Sequence, residues 1–308
     1  MNSKIKGYAL GIIGAASYGT NPLFALPLYE RGMDADTVLL MRYALSIPIV
    51  AAMIAWRGRS FRVRGAQLLT LTVLGLLMSL SSLALFVSYN YMDAGIASTL
   101  LFVYPIMVAV IMAGVYHEKI SGLTAGCIAT ALAGIAMLYN GDGEASLNLT
   151  GTLLVMGSSL SYAIYMVAVN RKSLKNLASL TVTLYVLLAG IMLFVARLLM
   201  KGVPVVMPTG WLMWGCVAGL AVLPTAVSFI CTTGAIQYIG ATPTAIIGAM
   251  EPVTAVIIGV TVFHEALLAQ NVIGLILIVV AVTGVVGGKS ITRVLTHRRR
   301  MFPRLRRK

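Results

Sequence analysis

The chain has 308 residues, of which 59% are hydrophobic and 10% are charged, and its formal net charge is +14. A soluble globular domain carries roughly 25% charged residues, so this composition excludes a soluble domain and predicts an integral membrane protein. The positive charge does not predict nucleic-acid binding, because the basic residues lie in short loops and a tail instead of forming a basic domain.

Hydropathy and the positions of charged, glycine and proline residues predict ten membrane-spanning helices, so the expected fold is an all-α integral membrane protein. The first helix follows Lys4 and Lys6 but is too long and too polar in its middle for a cleaved signal peptide. Most connections between the predicted helices are very short, so consecutive helices are expected to be antiparallel. The ten helices are predicted at 7–28, 36–56, 66–91, 94–116, 120–139, 151–170, 178–198, 211–237, 240–262 and 267–288.

The fourth and ninth predicted helices share a sequence pattern. Residues 91–118 and 238–265 align without a gap, and seven of the 28 aligned pairs are identical, including Pro105 with Pro252. Each copy ends in a His–Glu pair, His117–Glu118 in the first and His264–Glu265 in the second. The pattern predicts two five-helix repeats, at 1–139 and 151–288, with a linker at 140–150 on the outside and a basic tail at 289–308.

The basic residues predict that both termini are cytoplasmic. With the N-terminus inside, 19 of the 23 Lys and Arg residues lie on the cytoplasmic side. An odd number of helices per repeat then makes the two repeats cross the membrane in opposite senses. Inverted repeats are typical of secondary transporters, which open a central site to alternate sides. The alternative is that the duplication only enlarged a helical bundle.

Two charged side chains are predicted within the spans, Arg42 in the second helix and Glu251 in the ninth. A charge in lipid costs about 2.5 kcal/mol or more, so both are expected to face the substrate, a coupling proton or a partner. For Glu251 the alternative is a neutral acid that caps the backbone at a helix break. For Arg42 the alternative is snorkelling to the outer headgroups. An ion pair between the two residues is also open.

Helix breaks are predicted at Pro105 and Pro252, because proline lacks a backbone N–H and clashes with the carbonyl group four residues earlier. The carbonyl groups of Leu101 and Gly248 are thereby freed. Irregular backbone at this depth is tolerated only where protein or a water-filled cavity satisfies it. The matching position of the two prolines in the repeats favours a functional break over ordinary kinked packing.

Polar side chains at mid-depth complete the predicted substrate site. Tyr104 occupies the position in the first repeat that Glu251 occupies in the second, and this is the clearest difference between the copies. Serine and threonine often only join helices by hydrogen bonds, so tyrosines and Asn21 are better candidates. Besides the two charged residues, the predicted substrate-binding residues are Tyr18, Asn21, Tyr104, Tyr162, Tyr165 and Ser228.

Catalytic and metal-binding residues are not predicted. The three cysteines lie in apolar segments without metal-ligand spacing, and neither His–Glu pair has a second histidine one turn later. Each pair is instead expected to end a helix and stabilise the turn that follows. We therefore expect no cofactor, and we expect that the protein is not an enzyme.

The two-repeat pattern, with YPIMVAVIMAGVYHE at 104–118 and EPVTAVIIGVTVFHE at 251–265, resembles the EamA-type branch of the drug/metabolite transporter superfamily. The resemblance implies a transporter whose helices 1–4 and 6–9 line a central cavity, with helices 5 and 10 at the periphery. It also implies export of amino acids or other small metabolites. Import of a vitamin or nucleoside-like molecule is the alternative, and a membrane enzyme or non-transporting protein is a remote one.

These features together predict the location and the partners. We expect a multi-pass protein of the bacterial inner membrane that contacts the lipid bilayer, binds a small-molecule substrate and does not bind nucleic acid. A proton is a candidate coupling partner, since a buried acid can hold one. The glycine-rich segments at 120–138 and 272–286 lack large polar side chains, which makes them candidates for scaffold or homodimer contacts.

Overall fold

A computed structural model shows an all-helical protein, without β-strands in the residues that it describes. These are residues 3–116, 148–169, 177–202, 205–240, 250–264 and 272–277, with short stretches and single residues between them. Most of predicted helix 5, the linker, parts of predicted helix 10 and the basic tail fall outside this set. His117, Glu118 and Glu265 of the two His–Glu pairs also lie outside the described residues.

The first repeat forms six helices in the described part of the chain. These are α1 (Ser3–Tyr18), α2 (Asn21–Tyr29), α3 (Ala35–Trp56), α4 (Gly65–Ser88), α5 (Ala94–Leu101) and α6 (Tyr104–Tyr116). The second repeat forms α7 (Leu149–Val169), α8 (Ser179–Lys201), α9 (Gly210–Leu220), α10 (Ser228–Ile239) and α11 (Met250–Val262). A π-helical segment, Ala221–Val227, joins α9 to α10, so that Gly210–Ile239 is one continuous helical span.

Five helical spans of the described chain are long and apolar enough to cross a membrane. They are Ala35–Trp56, Gly65–Ser88, Leu149–Val169, Ser179–Lys201 and Gly210–Ile239. Other predicted spans are divided into shorter apolar helices, or extend into residues outside the described set. The protein is thus a multi-pass membrane protein, and the number of ten spans stays a prediction.

Proline residues explain where the shorter helices begin. Instead of one helix over 7–28, the chain forms α1 and α2 with a turn at residues 19–20, and Pro22 lies in the first turn of α2. Pro105 lies at the second position of α6 and Pro252 at the third of α11. The first turn of a helix tolerates proline, because its N–H groups have no intrahelical acceptor. Pro224 lies inside the π-helical segment, a form that is frequent at functional sites.

Helices of the first repeat pack against helices of the second, and one such contact is the counterpart of another. α1 packs along α10, and α4 packs along α7. Because α1 corresponds to α7 and α4 corresponds to the α9–α10 helix in the repeat, each pairing is the counterpart of the other. α3 packs on α8, its corresponding helix, and α5 of the fourth predicted helix packs on α11 of the ninth. The two repeats therefore share one interior.

Small residues allow α1 to approach the second repeat closely. A side-chain carbon added at Gly7 would lie 2.6 Å from Ile239, and one added at Gly14 would lie 2.7 Å from the Thr232 hydroxyl oxygen. Such distances are too short for any side chain, so glycine is required for this packing. The close approach brings the C-terminal end of α1 to the centre of the molecule.

Candidate functional site

Three short helices begin at the centre of the molecule. α2, α6 and α11 start at Asn21, Tyr104 and Met250, and each carries a predicted site residue in its first turn. The N-terminal end of a helix has unpaired N–H groups and a partial positive charge. In transporters, such half-helix ends commonly surround the substrate.

The carbonyl groups that the two prolines free have partners within the protein. The Ser159 hydroxyl lies 3.0 Å from the Leu101 carbonyl oxygen and 2.9 Å from the Val155 carbonyl oxygen of its own helix, so its one hydrogen is shared between these acceptors. The main-chain N–H of Glu251 donates to the Gly248 carbonyl oxygen at 2.8 Å. Both freed carbonyl groups therefore have a donor within the protein.

Arg42 lies in α3 and is completely buried. Its Nε donates to the Thr225 hydroxyl oxygen at 2.8 Å, and its Nη1 donates to the Asn21 side-chain oxygen at 3.1 Å. Its guanidinium carbon lies 5.1 Å from the ring centre of Phe86 and 5.5 Å from that of Tyr43, within the range of a cation–π interaction. Nη2 has no hydrogen-bond partner among the described residues. Arg42 thus points into the protein and does not snorkel to the headgroups.

Glu251 lies in the first turn of α11, where 4% of its surface is exposed. Its Oε2 atom has no hydrogen-bond partner in the described part of the chain. Its carboxyl group lies within electrostatic range of Tyr18, Tyr104 and Tyr162. The contact with the Gly248 carbonyl oxygen is made by the main-chain N–H of Glu251 and not by its carboxyl group.

The turn between α1 and α2 lies against both charged residues. A side-chain carbon added at Gly19 would lie 2.5 Å from the main-chain oxygen of Glu251. Two residues later, the Asn21 side chain accepts from Arg42 and donates to the Tyr18 carbonyl oxygen at 2.8 Å. This turn therefore connects the surroundings of the acid with those of the guanidinium group.

Arg42 and Glu251 are not paired with each other. Among the residues that the structure describes, ion pairs join Asp36 of α3 to Arg197 and Lys201 of α8. Asp36 is buried, while its two partners are partly exposed at the C-terminal end of α8. The acid nearest in sequence to Arg42 is thus engaged elsewhere.

Four tyrosine rings pack against one another at the centre. The rings of Tyr18 and Tyr162 are stacked with centres 6.3 Å apart, and those of Tyr162 and Tyr165 are stacked at 6.1 Å. The Tyr104 ring meets Tyr162 nearly edge-on, with centres 4.6 Å apart. None of the four is more than 5% exposed. The structure therefore brings together the predicted tyrosines and both predicted charges in one buried centre.

In the eighth predicted helix, the site prediction named Ser228 but not the residue that binds Arg42. Ser228 is buried at the first position of α10, but the hydroxyl group that binds Arg42 belongs to Thr225, one turn earlier. The two residues are three positions apart and share a helix face, so the sequence offers a signal that could have identified Thr225. Phe86 packs on the guanidinium group. It could not be identified from the sequence, because it is one of many apolar residues in its helix.

A cavity of about 340 Å³ lies beside the centre, between α5, α11 and the helical stretch that begins at residue 272. Its walls are almost entirely apolar and include Thr99, Pro252, Val256 and Leu275. The described residues place no charged side chain in these walls. The cavity therefore offers apolar contact next to the centre and no recognition of a charged group.

Comparison with known proteins gives three findings. The sequence model of the EamA-like transporter family matches residues 5–140 and 149–287. An uncharacterized transporter of Clostridium kluyveri is 21% identical over 285 residues, which cover 89% of this chain and 91% of that protein. A protein of known crystal structure has the same fold, with a TM-score of 0.70 at 17% identity over 94% of this chain and 98% of that one.

Proposed function

The chain belongs to the EamA-like transporter family, and we propose that it is a secondary-active exporter of amino acids or other small metabolites in the bacterial inner membrane. The family and the transporter of similar length favour a transporter over an enzyme. Transport mechanism, direction and solute class are the parts of the proposal that go beyond this family assignment.

The observation that carries the proposal is a guanidinium group and a carboxyl group that are both buried at the centre and do not pair with each other. Arg42 Nη2 and Glu251 Oε2 are both buried without a hydrogen-bond partner in the described part of the structure. Leaving a charged group unpaired in the interior costs several kcal/mol, on the order of the whole stability of a domain. Charged groups that are retained at this cost inside a membrane protein usually serve a substrate or an ion pathway.

The exchanged packing of the repeats supports alternating access. The contact of α1 with α10 corresponds to the contact of α7 with α4. If the two repeats exchange their conformations, the centre would open to the opposite side of the membrane. The helix breaks lie at the centre, where backbone dihedral changes alter the direction of a half-helix without unpacking it. This mechanism requires the two repeats to have opposite orientations in the membrane, which the distribution of basic residues favours.

Glu251 is the proposed site of proton coupling. A buried carboxyl group can be neutral with a proton bound and charged without one, and the two forms differ in their affinity for a solute. An inward proton movement then drives the outward movement of the solute. The export direction itself rests on the resemblance to exporters.

The test is transport by the purified protein in liposomes. Liposomes are loaded with a panel of amino acids, nucleosides, sugars and vitamins, a pH gradient is imposed in either direction, and internal and external solutes are measured by mass spectrometry. Proton-driven movement of a small metabolite, absent in protein-free liposomes, is the expected result. Movement that is independent of the pH gradient contradicts proton coupling, and no movement of any solute contradicts the proposed function.

A further inference from the structure

We infer that the transported solute carries both an anionic and a cationic group, and that Arg42 binds the first while Glu251 binds the second. The inference rests on the proposed function, because it names the solute class that the same centre transports. It is argued from the contacts of the two charged side chains and from the turn that separates them.

Arg42 has the features of an anion subsite. Two of its three nitrogen atoms are held by Thr225 and Asn21, and the third, Nη2, is buried without a partner among the described residues. Packing against Phe86 and Tyr43 fixes the plane of the guanidinium group, so little conformational freedom is lost on binding. The start of α2 at Asn21 adds a partial positive charge. A carboxylate is the group whose geometry suits a guanidinium edge.

Glu251 has the features of a cation subsite. Its Oε2 atom is a buried acceptor without a partner in the described chain, and an ammonium group supplies up to three donors. The faces of aromatic rings attract cations, and the stacked rings of Tyr18 and Tyr162 lie within electrostatic range of its carboxyl group. An ammonium group beside the carboxyl group would favour its charged form, so binding of the cation and ionisation of Glu251 are coupled.

The separation of the two subsites selects for a solute with both charges. The α1–α2 turn lies against the main chain of Glu251 at Gly19 and accepts from the Arg42 side chain at Asn21, and the two side chains do not form an ion pair among the described residues. A solute with an anionic group alone leaves the Glu251 carboxyl group without a donor, and one with a cationic group alone leaves Arg42 without an anion. Either case leaves a buried polar group without its partner, which lowers affinity.

The experiment compares matched solutes in proteoliposomes by counterflow. Each neutral amino acid in the panel is paired with the acid that lacks its ammonium group and with the amine that lacks its carboxylate. One such set is L-leucine, 4-methylpentanoate and 3-methylbutylamine, and a second is L-phenylalanine, 3-phenylpropanoate and 2-phenylethylamine. Betaines and dipeptides extend the panel to other zwitterions, and nucleosides, sugars and vitamins test transport in general.

Variants of Glu251 and Arg42 test which charged group of the solute each residue binds. Glu251→Gln is expected to lower the preference for a zwitterion over its matched acid about tenfold or more, and Arg42→Gln to lower the preference over its matched amine by a similar factor. A merely structural role would lower the transport of all solutes alike and leave these ratios unchanged. Glu30→Gln and Arg57→Gln make the same chemical changes at exposed positions and are expected to leave the ratios unchanged.

The outcomes separate this inference from the proposed function. Transport of a zwitterion with its matched acid and amine at background level supports both. Transport of acids, amines or uncharged solutes with equal or higher rates overturns the inference while the transporter stands. Ratios that do not change in either variant also overturn it. If no solute moves under any gradient, the proposed function is contradicted and the inference falls with it.

Discussion

Tyr18 of the first repeat and Tyr162 of the second stack their rings, with centres 6.3 Å apart and planes 5° apart. Tyr104 and Glu251, which occupy the same position in the aligned repeats, are instead a ring and a carboxyl group. The centre thus combines an aromatic contact between the repeats with an acid that only the second repeat carries at this position. Solute chemistry is expected to come from the positions where the repeats differ.

Replacing Tyr162 tests the aromatic contact. Its ring meets those of Tyr18, Tyr104 and Tyr165, so Tyr162→Ala is expected to lower the free energy of unfolding by about 3–5 kcal/mol, and Tyr162→Phe by much less. Thermal unfolding in detergent measures the difference. Tyr8→Ala removes a ring that is 48% exposed and serves as the control. An equal loss in Tyr162→Ala and Tyr8→Ala would show that the stacked rings contribute nothing specific.

The contact between Gly248 and Tyr104 is tested by adding and removing atoms. A side-chain carbon at Gly248 would collide with the Tyr104 hydroxyl group and lie 3.3 Å from the Phe102 ring. Gly248→Ala is therefore expected to destabilise the protein by about 1–3 kcal/mol, and Tyr104→Phe in the same chain to restore part of the loss. Thermal unfolding of the single and double variants gives the coupling between the two positions.

The matched control is Gly157→Ala in α7, where an added carbon meets no atom within 4 Å. Alanine stabilises a helix by about 1 kcal/mol relative to glycine, so this variant is expected to be as stable as the native protein or more so. Strictly additive effects of Gly248→Ala and Tyr104→Phe would argue against the contact.

Removing the Ser159 hydroxyl group tests how the break in the fourth helix is held. The hydroxyl group has an acceptor in its own helix, the Val155 carbonyl oxygen, and a second one in the Leu101 carbonyl oxygen, which Pro105 leaves without its helical partner. Ser159→Ala is expected to cost about 1–3 kcal/mol, since a buried carbonyl group loses its donor. The Ser88 hydroxyl, also buried, donates within its own helix to Leu85, and Ser88→Ala should cost less. Equal losses in unfolding experiments on the two variants would contradict a special role of Ser159.

The ion pairs at Asp36 join α3 to α8. We predict that Arg197 and Lys201 each contribute part of the stability that these ion pairs provide. Asp36→Asn removes both pairs and is expected to cost about 1–2 kcal/mol, because the acid is buried but its partners are partly exposed. Arg197→Gln and Lys201→Gln should each cost less, and the double variant should approach the cost of Asp36→Asn. Unfolding at low and high salt checks this, and a loss in Asp36→Asn that is smaller than in either single cation variant would contradict it.

The sequence was sufficient for the fold class and for most residues of the centre. Repeat symmetry and the cost of charge in lipid identified Glu251 and Arg42, and proline chemistry identified the breaks at Pro105 and Pro252. The partners of Arg42 were not predictable in the same way. Thr225 lies 183 residues away in the chain, and Asn21 reaches Arg42 because the first helix is interrupted at residues 19–20. Such contacts depend on helix packing, which hydropathy does not describe.

The requirement for Glu251 in transport is tested most directly by initial rates of efflux from proteoliposomes. Native protein, Glu251→Gln and Glu30→Gln are reconstituted at equal density, with unfolding temperatures measured for each, and compared under the same pH gradient. We predict a rate about tenfold or more lower for Glu251→Gln and an unchanged rate for the exposed Glu30→Gln control. A Glu251→Gln protein that transports as fast as the native protein would contradict the role proposed for this acid.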